Sequence, residues 1–217
     1  MAIALNAVTT TSGSGTGPFT FAHTTSGSDR LLCVCVANYR NTSFVSAVSY
    51  NSVDLTEQEA LTVGEYTISL WSVIAPSTGS NTVSVTTNTS VFDIGIAAIS
   101  FTGVHQSSPF GVPVSDSGTS TTPSVTVTSA ADEVVLDTLT IIHSGTLTVD
   151  GSQTQQWNAA SSNAFIKYAG STEDGAASTT MSWSNSTSQS WITIAIPIKP
   201  VSTAVTIRQL CLTGVGT

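Results

Sequence analysis

The chain has 217 residues, a net charge of −8, 40% hydrophobic residues and only 8% charged ones. That length can bury a core and that apolar fraction excludes a disordered chain. Its five cations, Arg30, Arg40, Lys167, Lys199 and Arg208, are scattered, which excludes the clustered positive charge that nucleic acid and anionic membranes require.

Polarity comes from Ser and Thr, about a third of the sequence. Thr favours strands through its branched Cβ, and Ser favours turns by bonding back to the main chain. Cys33 and Cys35 stand two apart on an apolar stretch, hence on one face, where they cannot readily bond to each other. With Cys211 they make an odd, sparse set that predicts buried thiols made in a reducing compartment rather than a disulfide framework. The start, Met-Ala-Ile-Ala-Leu-Asn, has no basic or long apolar region, so no secretory signal is read there. No apolar run approaches the ~20 residues that span a bilayer.

In chain order, residues 3–10 predict a short strand and 11–18 a Gly/Ser/Thr connection. Phe19 and Phe21 alternate with polar residues and mark a half-buried strand. Arg30 to Asn38 is apolar on both faces, as a central strand covered on both sides would be. Asn51-Ser52 occupies the place of a two-residue hairpin turn between Tyr50 and Val53. Asp54, Glu57, Glu59 and Glu65 form an acidic stretch read as a solvated loop. Tyr66 to Phe101 then gives three consecutive strands with small polar turns. Residues 102–123 read as a connector, polar over 115–124 but carrying Val104, Phe110, Val112 and Val114. Strands resume at 124–128, 133–142, 146–150, 154–157, 164–169, 177–183 and 190–198. No window keeps a helical apolar period, so the fold class is all-β.

The halves, about 18–101 and 122–198, read as related meanders. Asp29 aligns with Asp132, Val48 and Tyr50 with Leu147 and Val149, Trp71 with Tyr168, and Ile99 and Phe101 with Ile196 and Ile198. Falling offsets at the loops fit a duplication with shortened connections. The expected architecture over 1–200 is a jelly-roll-like β-sandwich built from both halves, with two small sandwiches as the alternative. Residues 201–217 form a further β-like tail, with Val205 and Ile207 apolar on one face and Leu210 and Leu212 after a register shift. It either completes its own sheet or serves as an inter-subunit strand on a neighbouring copy's edge.

No catalytic, cofactor or metal constellation stands out. His23, His105 and His143 have no Cys or acidic neighbour at ligand spacing, and no nucleophile elbow, phosphate loop or zinc-binding helix motif is present. Glu173-Asp174 reads as a turn matching the first acidic stretch. Trp157, flanked by Gln155 and Asn158, is the candidate glycan contact, since an exposed indole stacks on sugars while amides bond their hydroxyls.

Four motifs carry a resemblance. They are Val48-Ser-Tyr-Asn-Ser-Val-Asp-Leu-Thr56; Leu70-Trp71 with Ala75-Pro76 and Gly79; Ile99-Ser-Phe-Thr-Gly-Val-His-Gln106 with Pro109; and Ala169-Gly-Ser-Thr-Glu173 with Gly175-Ala-Ala-Ser178 and Met181-Ser-Trp183. In order, they resemble a Ser/Thr-rich β-sandwich module of tailed-bacteriophage virion proteins and some bacterial surface proteins. Ser52 and His105 stand where that family usually has Gly and Asp. The resemblance implies no catalytic residue. It implies a non-enzymatic virion structural protein, first a phage head decoration (cement) protein and otherwise a tail or fibre component. Such a protein would be assembled in the host cytoplasm and act as a homo-oligomer, a trimer by preference, docked on other virion proteins. The alternative is a carbohydrate-binding or adhesion module whose partners are surface glycans.

Overall fold

The computed structural model describes residues 2–39 and 45–201. These form seventeen strands: β1 (Ala4–Gly15), β2 (Phe19–Thr25), β3 (Leu31–Tyr39), β4 (Val45–Tyr50), β5 (Val53–Asp54), β6 (Thr56–Val63), β7 (Tyr66–Ile74), β8 (Gly79–Thr87) and β9 (Val91–Thr102); then β10 (Val114–Ser120), β11 (Ser124–Val127), β12 (Val134–Ile142), β13 (Leu147–Val149), β14 (Thr154–Ala160), β15 (Ile166–Asp174), β16 (Thr179–Asn185) and β17 (Gln189–Ile198).

Four antiparallel sheets result. Two are five-stranded, ordered β1-β9-β3-β7-β6 and β10-β17-β12-β15-β14; the others run β2-β8-β4-β5 and β11-β16-β13. The strand ladders stay within 4–102 or within 114–198. Isolated bridges Val104↔Pro200 and Phe110↔Ile198 tie the intervening segment to the end of β17.

Strand β3 shows why the layers stack. Its residues 31–38 are all buried, because both faces are apolar and each meets a different sheet. Leu31, Cys33, Cys35 and Ala37 face the second five-stranded sheet, joining Ile68, Leu70, Ile99, Phe101, Leu136, Tyr168 and the alternating Ile192, Ile194, Ile196 and Ile198 in one core. Leu32, Val34 and Val36 face the four-stranded sheet with Val48, Tyr50, Trp71, Val83, Val85 and Ile96. On the far side, Leu139, Ile141, Trp183 and Trp191 form one cluster and Val125, Val127, Val135 and Met181 another, under the three-stranded sheet. The layers are therefore four, five, five and three strands deep. Gly95 lets the two large sheets approach, since a Cβ there would run into the Tyr168 ring.

Several sequence expectations change. Residues 11–15 continue β1, and 114–120 form edge strand β10 rather than a polar connector. The acidic stretch lies mostly in β6, and Glu173-Asp174 closes β15 instead of turning. In both cases backbone pairing with a buried neighbour overrides polar composition. The alignment of Trp71 with Tyr168 also fails. Trp71 is paired opposite Val34 and faces the four-stranded sheet, whereas Tyr168 is opposite Thr140 and faces the middle core. Asn51 and Ser52 have φ of 50° and 61°, the two left-handed residues of a type I′ hairpin turn.

Candidate functional site

Trp157 is only 5% exposed and packs in the middle core. It lies against Gly170, its partner across the ladder, where any Cβ would meet the indole. This corrects the sequence reading, because an indole between two sheets offers no face to a sugar. Gln155 is exposed, and Asn158 is half-buried with its amide donating to the Leu147 carbonyl at 2.9 Å and to Gln155 Oε1 at 3.3 Å. The inter-subunit strand residues Val205, Ile207, Leu210 and Leu212 lie outside the described residues, as do Arg40, Arg208 and Cys211.

The structure also gathers polar groups that spacing could not reveal. His23, on β2, sits between Thr9 Oγ1 and Ser100 Oγ, each 3.0 Å from a ring nitrogen. Burial lowers its pKa from 6.5 to about 4. A Ser–His contact is half of a nucleophilic site, but His23 and Ser100 are each 1% exposed, so no substrate reaches them. Asp137, at 0% exposure, accepts from the Ser171 amide (2.5 Å), the Ser171 hydroxyl (2.7 Å) and the Trp183 indole N–H (2.7 Å). Burial raises its pKa from 3.8 to about 6 against the pull of those donors. Asp93, on β9, caps the 161–165 turn across the two large sheets. It accepts from the hydroxyls of Ser161 and Ser162 and from the amides of Asn163 and Phe165. Each of these groups joins separate strands, which is structural work.

His105 follows the same logic. Its Nδ1 accepts from the Ser107 and Ser108 amides at 3.3 and 3.1 Å, the loop-capping job a carboxylate does in an Asx turn. Cys33 and Cys35 are buried thiols, and burial pushes Cys35 up to about 12. Among the described residues, no group of three or more His, Cys, Asp or Glu is arranged to hold a metal ion, and no helix is long and apolar enough to cross a membrane.

Two surface regions stand out. At one end, Tyr39, Tyr66, Phe92 and Phe165 form an aromatic cluster. Tyr39 stacks on Phe165 (5.4 Å between centroids, 13° between planes), and Phe92 meets Phe165 edge-on at 4.6 Å. Phe92 and Phe165 remain 38% and 47% exposed. Beside it, a crevice of about 260 Å³ is lined by Tyr66, Ser117, Thr119, Ser190 and Ile192, among others. At the other end, a groove of about 870 Å³ runs past Ile3, His105, Asp132, Glu133, Asp174 and Val201. It adjoins a second hollow of about 220 Å³ reaching Leu5, Phe101 and Thr154. No protein-family model, no curated protein and no solved structure matches the chain.

Proposed function

We propose that the chain is a structural protein of a virion, a phage head decoration or cement protein before a tail or fibre component, acting by oligomerisation and docking. The observation that carries this reading is the aromatic end. Phe92 comes from β9, Phe165 from the turn before β15, and Tyr39 and Tyr66 from the ends of β3 and β7, so both large sheets contribute to one apolar surface. Exposed aromatic clusters mark contact with other proteins. The polar groups of His23, Asp93 and Asp137 meanwhile hold strands and turns together. The partner is the shell formed by other virion proteins, met by a homo-oligomer, a trimer by preference.

Its finer architecture is a duplicated unit. The order β1-β9-β3-β7-β6 recurs as β10-β17-β12-β15-β14, and β2-β8-β4 recurs as β11-β16-β13. That recurrence supports two related sandwiches set back to back. The carbohydrate-binding alternative would use the crevice beside Tyr66, where Thr119 and Ser190 hydroxyls lie 3.1 Å apart, rather than Trp157.

The test is the mass of the full chain in solution together with its co-sedimentation with virion shells. An oligomer that sediments with shells is expected, and Phe92→Asp with Phe165→Asp should release it from them while circular dichroism stays unchanged. A wild-type protein that stays monomeric and ignores shells would overturn the proposal.

A further inference from the structure

The hollows of the molecule differ in charge. The large groove holds Asp132 and Glu133, the hollow beside it Glu173, and two others Asp54 and Asp150. The crevice beside Tyr66 is lined by no charged side chain, on a chain whose net charge is −8. A hollow without charge offers no ion-pair partner to a charged ligand and no anionic ligand set to a metal ion.

Its walls come from both large sheets. The β6–β7 turn region supplies Val63 and Tyr66, while β10 supplies Ser117 and Thr119, paired opposite Ile192 and Ser190 of β17. Alternation along the strands puts those last four residues on one face. Ile192 belongs to the core between the large sheets, so the crevice lies where that core reaches the surface. The site is held in shape without a ligand. Trp191 donates its indole N–H to Ser120 Oγ at 2.9 Å and lies against Gly118, where a Cβ would meet the ring. Tyr39 packs against Tyr66 with 5.2 Å between centroids. Fixed walls of this kind lower the ordering cost of binding.

The chemistry of the walls is two-sided. Val63, Tyr66 and Ile192 are apolar or aromatic, and Ser117, Thr119 and Ser190 are hydroxylated. Thr119 Oγ1 and Ser190 Oγ lie 3.1 Å apart. One bond between them leaves one hydroxyl hydrogen, and lone pairs on both oxygens, for a ligand. A ligand that matches has an apolar face and a hydroxylated rim, as an uncharged pyranose does. Size narrows the match. The crevice holds about 260 Å³, just below the ~300–1,000 Å³ of pockets that enclose drug-sized molecules, so one sugar ring fits and a second lies outside.

We infer that this crevice binds the terminal residue of a neutral glycan, with its ring against Tyr66 and its hydroxyls bonded to Thr119 and Ser190. The inference gives the carbohydrate-binding reading its ligand and rests on that reading, not on docking to a shell.

The test is saturation-transfer NMR on the full chain. The probes are the methyl glycosides of glucose, galactose, mannose and N-acetylglucosamine, with methyl glucuronide as the charged control. A ligand of about a dozen heavy atoms binds in the millimolar range, so each is titrated to about 50 mM. At least one neutral glycoside should bind, and the glucuronide should not. Tyr66→Ala and Ser190→Ala should each weaken binding about tenfold. Thr119→Trp, which fills the crevice, should abolish it, and circular dichroism checks that each variant stays folded. Phe92→Asp with Phe165→Asp should leave sugar binding unchanged, so that loss of shell docking and loss of sugar binding are read separately. Failure of all four neutral glycosides to bind would overturn the inference. So would binding that survives in Thr119→Trp, or glucuronide binding as strong as that of the neutral sugars.

Discussion

Asp137 and His23 are both buried, and burial moves them towards opposite responses to acid. The folded pKa of Asp137 is raised from 3.8 to about 6. Its contribution to stability is thus full below about pH 4 and is lost as pH rises through 6. The folded pKa of His23 is lowered to about 4, so its contribution is full above about 6.5 and is lost as pH falls towards 4. Between pH 4 and 6 the two slopes oppose, each at most about 1.4 kcal/mol per pH unit. Asp137→Asn removes one of them. It should first cost about 1–3 kcal/mol at neutral pH, because an amide cannot accept from Ser171 and from the Trp183 indole together. It should then lose a further 2–3 kcal/mol, on the order of magnitude, relative to wild type between pH 6 and 4. Urea midpoints for both proteins at pH 4, 5, 6 and 7 measure this, and parallel profiles would show that Asp137 does not titrate in that window.

At the scale of single elements, the β4–β5 turn was readable in advance. Asn51-Ser52 sits between two strand patterns, and both residues adopt the positive φ that a two-residue hairpin needs. Ser52 holds its φ of 61° at a steric cost that glycine avoids. Ser52→Gly should therefore raise stability by about 0.5–1 kcal/mol, read as a higher thermal midpoint; a lower one would place the strain elsewhere. The largely apolar strands β3, β7, β9, β12 and β17 are equally legible because one sheet face or both are buried. Residues 11–15 of β1 and all of β10 are not. Their Ser, Thr and Gly residues carry no apolar period, and only the partners β9 and β17 hold them extended. The burial of Trp157 is hidden from the sequence for a related reason. Its polar neighbours Gln155, Gln156 and Asn158 belong to an edge strand, and nothing local reveals that a second sheet lies over one face. The His23–Ser100 and Asp137–Trp183 contacts join residues 77 and 46 positions apart, a separation that only the assembled sheets close.

At the scale of the whole molecule, the largest apolar core lies between residues 4–102 and 114–198, not within either. Neither set could bury Leu31, Cys33, Cys35, Ile68 and Ile99, or Ile192, Ile194, Ile196 and Ile198, without the other. Polar ties cross the same interface, among them Asp93 on the 161–165 turn, the Tyr168 hydroxyl donating to the Thr11 carbonyl at 3.0 Å and the Ser115 hydroxyl donating to Glu59 Oε1 at 3.1 Å. Each buried aliphatic side chain contributes about 1.5–3 kcal/mol relative to exposure, so separating the halves would cost more than the 5–15 kcal/mol by which domains are usually stable. The chain should consequently unfold as one unit. Calorimetry of the full chain should give a single transition with a calorimetric to van't Hoff enthalpy ratio of about 1. The two segments expressed apart should aggregate, and co-expression should restore a soluble one-to-one complex. Two resolved transitions, or a soluble monomeric segment with a native circular dichroism spectrum, would mean that each segment is sustained by its outer core alone, with the Ile192–Ile198 face serving only as a docking surface.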